Sequence, residues 1–259
     1  MISFAGGNPA AEAFPVELIA EITRDILASQ PVLALQYSVS EGYTPLRDRV
    51  RGLLKADGID REDDDLLIMS GAQQGIELTC KVLCNEGDVV IAENPSFIGA
   101  LNAIRSYNTT LVGVDVEEDG YIVGQMEAAL EAHPETKLIY VIPNFQNPTG
   151  YTTSLEKRRA VYQLCKQHGV PILEDNPYGE LRFTGPPCHW RNANGCISWH
   201  SSTTVSSWRI TLTGTFGLSG RASPPSKAWI PTDAWSTAAA SPRCCPPACG
   251  WATCWPVRR

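Results

Sequence analysis

Four short segments of the sequence combine glycine, polar and aromatic residues in patterns that could support chemistry. In Ser70-Gly71-Ala72-Gln73, small residues open a helical pattern, and their free backbone amides could hold a phosphate group. Glu93-Asn94-Pro95-Ser96-Phe97 could present an aromatic ring. Residues 143–150 contain two prolines and a closing glycine, which would fix a loop that aims the amide of Asn147 into a crevice. Glu174-Asp175-Asn176-Pro177-Tyr178 supplies a carboxylate and, three residues later, a phenol.

Each segment also has an ordinary structural interpretation. Ser70 followed by Gln73 is typical of a helix cap, Phe97 could be a core residue, and residues 147–150 could form a type I turn. Asp175 could be an N-cap or part of a solvated turn. A carboxylate at the end of a buried strand nevertheless needs a cationic partner, so the last segment is the hardest to explain without a ligand.

The hydrophobic pattern predicts the elements that must position these segments. Apolar runs predict buried strands at residues 66–69, 89–92, 110–114, 138–142 and 170–173. Helical patterns alternate with them at residues 72–83, 97–106, 125–132 and 155–168. This alternation predicts an α/β fold with a mainly parallel sheet and helices on both faces. The four segments follow four of these strands, and ligands bind at the carboxyl ends of such strands. We therefore expect the segments to meet at one edge of the sheet.

The overall composition points to a small-molecule partner. With 259 residues, of which 43% are hydrophobic, the chain can bury a sizeable core. Its net charge of -7 disfavours nucleic acid or an anionic membrane as the main partner. The sequence has no run of 18 apolar residues and does not begin with the pattern of a signal peptide. We therefore expect a cytoplasmic protein that does not bind membranes.

The composition changes near residue 184, which divides the chain into residues 1–184 and 185–259. The first part contains 27 of the 28 acidic residues, and the second contains only Asp233. The second part holds all seven tryptophans and six of the nine cysteines. A GC-rich gene read out of frame yields such a composition, so we predict an irregular or disordered tail that begins with a frame shift near Gly185. A genuine cysteine-rich tail is the alternative. No metal site is predicted, because the cysteines lack both a CxxC pair and nearby histidines in a ligand pattern.

Together the four segments resemble the aspartate-aminotransferase-like family of pyridoxal-phosphate enzymes, in particular the branch of 2-aminoadipate and kynurenine aminotransferases. Further motifs carry the same resemblance, which runs from Ile2 to about Thr184; they are Phe4-Ala5-Gly6-Gly7-Asn8-Pro9, Leu35-Gln36-Tyr37-Ser38 and Glu41-Gly42-Tyr43-Thr44-Pro45-Leu46-Arg47. The resemblance implies an incomplete large domain of that fold. It also implies transamination between an amino acid and a 2-oxo acid, with pyridoxal 5'-phosphate as cofactor and a homodimer as the assembly.

The resemblance further implies a role for each matching residue. Asp175 would pair with the pyridine nitrogen, Asn147 and Tyr178 would bind the 3-oxygen of the ring, and Phe97 would stack on the ring. The phosphate would be bound by Gly71, Ala72 and Gln73, and by Tyr37 of the neighbouring subunit. Gly7 and Asn147 would line the substrate side.

Two parts of the family pattern have no match. The lysine that carries the cofactor in relatives is not identifiable; Lys227 has preceding serines but lies too far along the chain, so no catalytic residue is assigned. The arginine that binds the substrate carboxylate belongs to a small domain that this chain is too short to complete. We therefore expect impaired activity. The alternatives are a carbon-sulfur lyase of the same fold, the effector domain of an aminotransferase-like transcription regulator, and an inactive fragment. The regulator is disfavoured because no helix-turn-helix segment precedes Ile2.

Overall fold

The computed structural model describes residues 11–56, 65–179 and 209–213. A short 3-10 helix at Ala11–Ala13 precedes the other elements. The helices are α1 (Val16–Ser29), α2 (Pro31–Leu35), α3 (Thr44–Ala56), α4 (Ala72–Leu83), α5 (Ile98–Arg105), α6 (Val123–Ala132) and α7 (Leu155–His168). The strands are β1 (Val89–Asn94), β2 (Thr110–Glu117), β3 (Gly120–Tyr121), β4 (Leu138–Val141), β5 (Ile172–Asn176) and β6 (Arg209–Thr213).

The six strands form one sheet in the order β3-β2-β1-β4-β5-β6. Every neighbouring pair is parallel except β2 and β3, which are antiparallel. This confirms the predicted α/β fold with a mainly parallel sheet. Because the chain passes from β1 to β2 on one side and later returns to place β4 on the other, the strand order reverses between β1 and β4. Ligands of parallel sheets bind at such a reversal.

Helices cover both faces of the sheet, as predicted. Val89 and Ile91 of β1 pack into one apolar cluster, which α6 and α7 complete through residues such as Met126. Val90 and Ala92 of the same strand belong to the second cluster, which α4 and α5 complete. Successive side chains of a strand point to opposite faces, so a strand buried on both faces must be apolar almost throughout. This explains the continuous apolar run that marked β1 in the sequence.

The predicted helices at residues 72–83 and 155–168 have the bounds expected from the sequence. For α7 the signals are local. The hydroxyl of Ser154 accepts a hydrogen bond of 3.3 Å from the backbone amide of Lys157, and Gly169 ends the helix with a φ of 68°. A serine before the first turn and a left-handed glycine after the last are the usual ends of a helix.

The strand predicted at residues 66–69 is wrong. The segment is irregular, and its backbone groups bond to the preceding part of the chain. The amide of Ile68 donates to the carbonyl oxygen of Glu41 at 3.1 Å, and Nε of Arg47 donates to that of Leu66 at 2.9 Å. An apolar segment can thus satisfy backbone groups without joining a sheet. Ser70 therefore follows a loop rather than a strand.

The prediction of an irregular tail after residue 184 is also wrong in one place. Residues Arg209–Thr213 form β6, which pairs in parallel with β5 and aligns Leu212 with Asp175. The remainder of that tail lies outside the described residues, so the boundary at residue 184 and the frame shift stay predictions. None of the helices in the described ranges combines the length and the apolar character needed to cross a membrane.

Candidate functional site

Three of the four predicted segments meet at the carboxyl edge of the sheet. The pairing of β1 with β4 aligns Ala92 with Tyr140, and the pairing of β4 with β5 aligns Val141 with Glu174. The three strands therefore end side by side. The segments that follow β1 and β4, and the Asp175 segment that ends β5, share this edge, as the sequence predicted.

The most unusual group at this edge is the carboxyl of Asp175, on β5. Its side chain is 5% exposed, and Oδ2 accepts a hydrogen bond of 2.7 Å from the hydroxyl of Tyr140. Oδ1 is buried and has no hydrogen-bond partner among the described residues. Burial raises the pKa of Asp175 and Glu174 raises it further, while the bond from Tyr140 lowers it. A buried acceptor with a free lone pair is costly, so this oxygen is suited to a donor or cation from a ligand.

Tyr178 lies in the turn that follows β5, with 37% of its surface exposed. Asn176, two residues earlier, is buried and accepts a hydrogen bond of 2.8 Å from Nδ2 of Asn144. Gly179 closes the turn tightly, because a Cβ at that position would lie 2.5 Å from Oδ1 of Asn176. The turn is thus fixed to the neighbouring loop, and the phenol remains open to a ligand.

The loop at residues 143–150 is anchored by a fully buried arginine. Nη2 of Arg158 donates to the carbonyl oxygen of Pro143 at 2.7 Å and to Oδ1 of Asn144 at 3.0 Å. Nε of Arg158 donates to the carbonyl oxygen of Thr153 at 2.7 Å. Asn147, at the far end of this loop, is exposed. The loop therefore presents Asn147 from a base that is fixed inside the protein.

Gly99 allows the segment that contains Gln73 and the segment that contains Phe97 to lie close together. A Cβ at Gly99 would lie 2.5 Å from Cζ of Phe97 and 2.9 Å from Oε1 of Gln73. Nε2 of Gln73 donates a hydrogen bond of 3.0 Å to the carbonyl oxygen of Gly99. Only a residue without a side chain allows both groups to lie so close to the backbone. The ring of Phe97, which is half-buried, is thereby placed next to the first turn of α4.

The first turn of α4 has no side-chain cap. Its N-cap residue is Gly71, with a φ of 87°, and a Cβ there would meet nothing within 4 Å. The predicted capping pair of Ser70 and Gln73 is wrong, because the amide of Ser70 donates instead to Oε1 of Gln74 at 2.7 Å. Gly71 and Gln73 are exposed and Ala72 is half-buried. The amides of this turn are thus open to an anion, which the positive end of the helix dipole attracts.

One predicted site residue within the described ranges is not brought to this edge. Tyr37 follows α2 and is 99% exposed, so its side chain packs against none of the other predicted residues. Gly7 and Lys227 lie outside the described residues.

The sequence profile of the family "Aminotransferase class I and II" matches residues 1–217. The chain belongs to this family. The match includes β6 and ends four residues after it. It therefore extends beyond the change in composition at residue 184, which the sequence analysis took as the end of the resemblance.

Several aminotransferases of this family are similar to the chain. The aromatic-amino-acid aminotransferase 1 of Thermococcus litoralis is 38% identical over 192 residues, which cover 72% of this chain and 46% of that protein. The kynurenine aminotransferase of Pyrococcus horikoshii has a TM-score of 0.68 at 34% identity, covering 73% of this chain and 48% of its own. LysN, the alpha-aminoadipate aminotransferase of Thermus thermophilus, has a TM-score of 0.66 at 38% identity, covering 71% and 46%. These structures confirm the predicted aspartate-aminotransferase fold and branch.

The chain spans less than half the length of these aminotransferases. It is also similar to a regulator. The uncharacterized HTH-type transcriptional regulator YisV of Bacillus subtilis is 30% identical over 187 residues, which cover 72% of this chain and 38% of that protein. Both kinds of relative therefore match this chain with only part of their own length.

Class I and II aminotransferases use pyridoxal phosphate, and LysN was solved with a 5'-phosphopyridoxyl compound. The described residues fit such a group. The unpartnered Oδ1 of Asp175 is suited to a protonated ring nitrogen, and the uncapped amides at Gly71 are suited to a phosphate. Phe97 and Tyr178 add an aromatic ring and a phenol near the same edge. The hydrogen-bond donors and acceptors at this edge are therefore of the kinds that the family's cofactor requires.

The sequence analysis missed Tyr140, the partner of Asp175. A tyrosine within the apolar strand Leu138–Val141 was the available signal, because a buried phenol needs a hydrogen-bond partner. It also missed the carboxyl of Glu93, which is buried on β1 and 3% exposed. A charged residue directly after the buried strand predicted at residues 89–92 was the corresponding signal.

Proposed function

We propose that this chain holds pyridoxal 5'-phosphate at the carboxyl edge of its sheet and belongs to a protein that transfers amino groups between an amino acid and a 2-oxo acid. The observation that carries the proposal is the buried carboxyl of Asp175, with one oxygen bound by Tyr140 and the other without a hydrogen-bond partner among the residues that the structure describes. When bound, the cofactor draws electron density away from the reacting carbon of the substrate. The protein must hold the ring, its nitrogen proton and its phosphate.

In this proposal each described residue has a separate task. Oδ1 of Asp175 accepts a hydrogen bond from the protonated ring nitrogen, and its negative charge keeps that nitrogen protonated. The cation in turn makes the charged form of Asp175 favourable, so binding lowers the pKa that burial has raised. Phe97 stacks on the ring, while Asn147 and Tyr178 bind its 3-oxygen. The amides of Gly71, Ala72 and Gln73 bind the phosphate.

The binding of pyridoxamine 5'-phosphate tests this proposal, because the amine form needs no lysine for attachment. Equilibrium dialysis should give saturable binding to one site per chain. Pyridoxamine without the phosphate should bind at least about tenfold more weakly, since several charge-assisted hydrogen bonds are lost. Equal binding of the two compounds, or no binding of either, would contradict the proposal.

Amino-group transfer separates the aminotransferase from its alternatives. The chain loaded with pyridoxamine 5'-phosphate is mixed with a panel of 2-oxo acids, and the amino acid formed is measured by chromatography. We expect slow formation, because no lysine in the family's setting is identified. A carbon-sulfur lyase would instead release a thiol from a sulfur-containing amino acid, so thiol release is measured in parallel on the chain loaded with pyridoxal 5'-phosphate. Thiol release without amino acid formation would replace the aminotransferase proposal by the lyase.

A second candidate is the effector-sensing part of a transcription regulator, which the similarity to YisV favours. Such a protein would use the same cofactor site for sensing an amino acid. It is distinguished by cofactor binding that is tight and responds to an amino acid, without net amino-group transfer even after long incubation.

We also propose that the protein forms a homodimer and acts in the cytoplasm. Neither α1 nor α2 contains a buried residue in the described chain, and apolar side chains such as Val32 and Leu35 are 74% and 77% exposed. A second copy would cover this apolar surface and would bring Tyr37 to the partner's phosphate. Sedimentation of the wild type and of Leu35→Asp tests this, with a concentration-dependent dimer expected only for the wild type. The cytoplasmic location is supported by Cys80, Cys84 and Cys165, which are free thiols.

A further inference from the structure

A buried carboxyl lies beside the proposed cofactor site without a role in the contacts described above. Glu93 is the fifth residue of β1 and is 3% exposed. Its Oε2 accepts two hydrogen bonds of 3.2 Å, one from the amide of Ile142 and one from Nε2 of Gln146. Its Oε1 is buried without a partner among the described residues. Burial raises the pKa of Glu93 to about 8, and the nearby Asp175 contributes to the increase.

Gln146 connects this carboxyl to two loops at once. Its Nε2 donates to Glu93 and also to the carbonyl oxygen of Pro95 at 2.7 Å. Its Oε1 accepts hydrogen bonds from the amide of Thr149 at 3.0 Å and from the hydroxyl of Thr149 at 2.7 Å. Its side chain is buried, and all of these contacts are made by one amide group.

These contacts cross the point at which the strand order reverses. Pro95 belongs to the turn after β1, which carries Phe97 two residues later. Thr149 belongs to the loop after β4, which carries Asn147. Because β1 and β4 are neighbours at the reversal, the pair of Glu93 and Gln146 joins the end of β1 and its turn to the loop after β4.

We propose that Glu93 and Gln146 form a lock that fixes the turn carrying Phe97 relative to the loop carrying Asn147, and so positions the cofactor ring between them. Both are positioning residues, because neither is assigned a contact with cofactor or substrate. The inference rests on the proposed cofactor site. It extends that proposal by giving the buried carboxyl of Glu93 a role in holding the site's loops in place.

Three variants test the lock through the affinity for pyridoxamine 5'-phosphate. Glu93→Met and Gln146→Met keep the approximate length of the side chain and remove its hydrogen bonds, so each should weaken binding by about tenfold. Glu93→Gln keeps an acceptor for both donors and should stay within about threefold of the wild type. The double variant Glu93→Met with Gln146→Met should bind the cofactor with about the affinity of whichever single variant binds it less tightly. Both changes remove the same hydrogen-bonded pair, so their effects should not add.

A matched control tests whether a general loss of stability could explain weaker cofactor binding. Val161→Ala truncates a core residue on α7, in the cluster on the other face of the sheet from Tyr140 and Ile142. It should lower stability but leave cofactor affinity unchanged. Thr149→Val changes a half-buried loop residue and removes the hydroxyl that donates to Gln146 and accepts from the amide of Tyr151. It gives a second test if the buried variants do not fold. It should weaken binding by a few-fold.

Amide hydrogen exchange supplies a readout without the cofactor. Thr149 donates its amide to Gln146, and the amide of Gly150 donates to the carbonyl oxygen of Gln146 at 2.5 Å. Glu93→Met should speed exchange at these two amides and leave α6 unchanged. If the wild type binds the cofactor while Glu93→Met and Gln146→Met bind it equally well, the lock is wrong and the proposed function stands. If the wild type binds no cofactor, the proposed function fails and this inference fails with it.

Discussion

The hydroxyl of Tyr140 donates a hydrogen bond of 2.7 Å to Oδ2 of Asp175, while Oδ1 of the same carboxyl has no hydrogen-bond partner within the described part of the chain. The two residues lie on neighbouring strands, β4 and β5, so the contact is fixed by the register of the sheet. One oxygen is thereby held while the other is available. Because one oxygen is held by Tyr140, the other can act as a rigid hydrogen-bond acceptor for a ligand.

Tyr140→Phe should destabilise the protein by about 2 kcal/mol at neutral pH, the usual cost of losing a hydrogen bond to a charged group. Because the bond lowers the pKa of Asp175, its loss should raise that pKa further. The destabilisation should therefore be larger at neutral pH than in acid, where the carboxyl is protonated. Urea unfolding at several pH values checks this. In the Asp175→Asn background the pH dependence of the effect should disappear; its persistence would contradict the pairing.

Asp175→Asn should weaken the binding of pyridoxamine 5'-phosphate by about tenfold to a hundredfold, since it removes the charge and keeps the size of the side chain. Tyr178→Phe and Asn147→Ala should each cost less, because each removes one hydrogen bond and leaves the charge in place. Parallel dialysis of the three variants gives the ranking. If Tyr178→Phe were the most damaging, Asp175 could not be the partner of the ring nitrogen.

Much of the fold followed from local patterns. The bounds of α4 and α7 agree with the sequence prediction because helical periodicity and, for α7, a serine and a glycine at its ends act within a few residues. The segment at residues 66–69 has the same apolar character as a strand, but its backbone bonds instead to Glu41 and Arg47. Such contacts join distant parts of the chain and cannot be recognised from a local sequence pattern.

The strand in the tail shows that a local pattern can be correct even where the composition is aberrant. Residues Arg209–Thr213 read Arg-Ile-Thr-Leu-Thr, with β-branched residues that favour a strand. The aberrant composition of residues 185–259 outweighed this short pattern in the sequence analysis. In the site, Asp175 was recognised from its position after an apolar run. Tyr140 and Gln146 were not, because their partners are set by strand register and loop shape.

The pH dependence of stability should report the buried carboxyl of Glu93. Its pKa in the folded state is about 8, above its ordinary value, so the folded state holds a proton that the unfolded state releases first. Stability should therefore fall as pH rises from about 5 to about 8, by up to about 1.4 kcal/mol per pH unit, and then level off. Asp175, whose pKa is also raised, contributes in the same direction. Tyr140 and Tyr121 have raised pKa values and stay neutral in this range.

Glu93→Gln isolates the contribution of Glu93, because an amide does not titrate and Asp175 is still present. The difference in the free energy of unfolding between wild type and variant should change with pH between about 5 and 8 and be constant above that range. Chemical denaturation at each pH measures it. A constant difference across the whole range would mean that Glu93 is charged in the folded protein.

Covalent labelling tests the prediction that the chain has no cofactor-bearing lysine. After addition of pyridoxal 5'-phosphate and reduction with borohydride, we expect scattered, substoichiometric labelling rather than one modified lysine. Peptide mapping identifies the sites. Stoichiometric labelling of Lys227 would contradict the prediction and would also establish residues 185–259 as functional sequence.

Gly71 and Gly87 provide a matched pair for the phosphate site. Both have a positive φ, 87° and 86°, and a Cβ at either position would meet nothing within 4 Å. Alanine at either position is therefore strained by the backbone alone, at a cost of about 1–2 kcal/mol. Unfolding by urea should give similar losses of stability for Gly71→Ala and Gly87→Ala.

Their effects on ligand binding should differ, because only Gly71 precedes the open first turn of α4. Relief of strain at residue 71 would turn that amide away from the phosphate, so Gly71→Ala should weaken pyridoxamine 5'-phosphate several-fold, while Gly87→Ala should not change its affinity. Pyridoxamine without a phosphate should bind equally to all three proteins. If Gly71→Ala weakened both compounds by the same factor, its effect would lie in the ring contacts, and the first turn of α4 would not be the phosphate site.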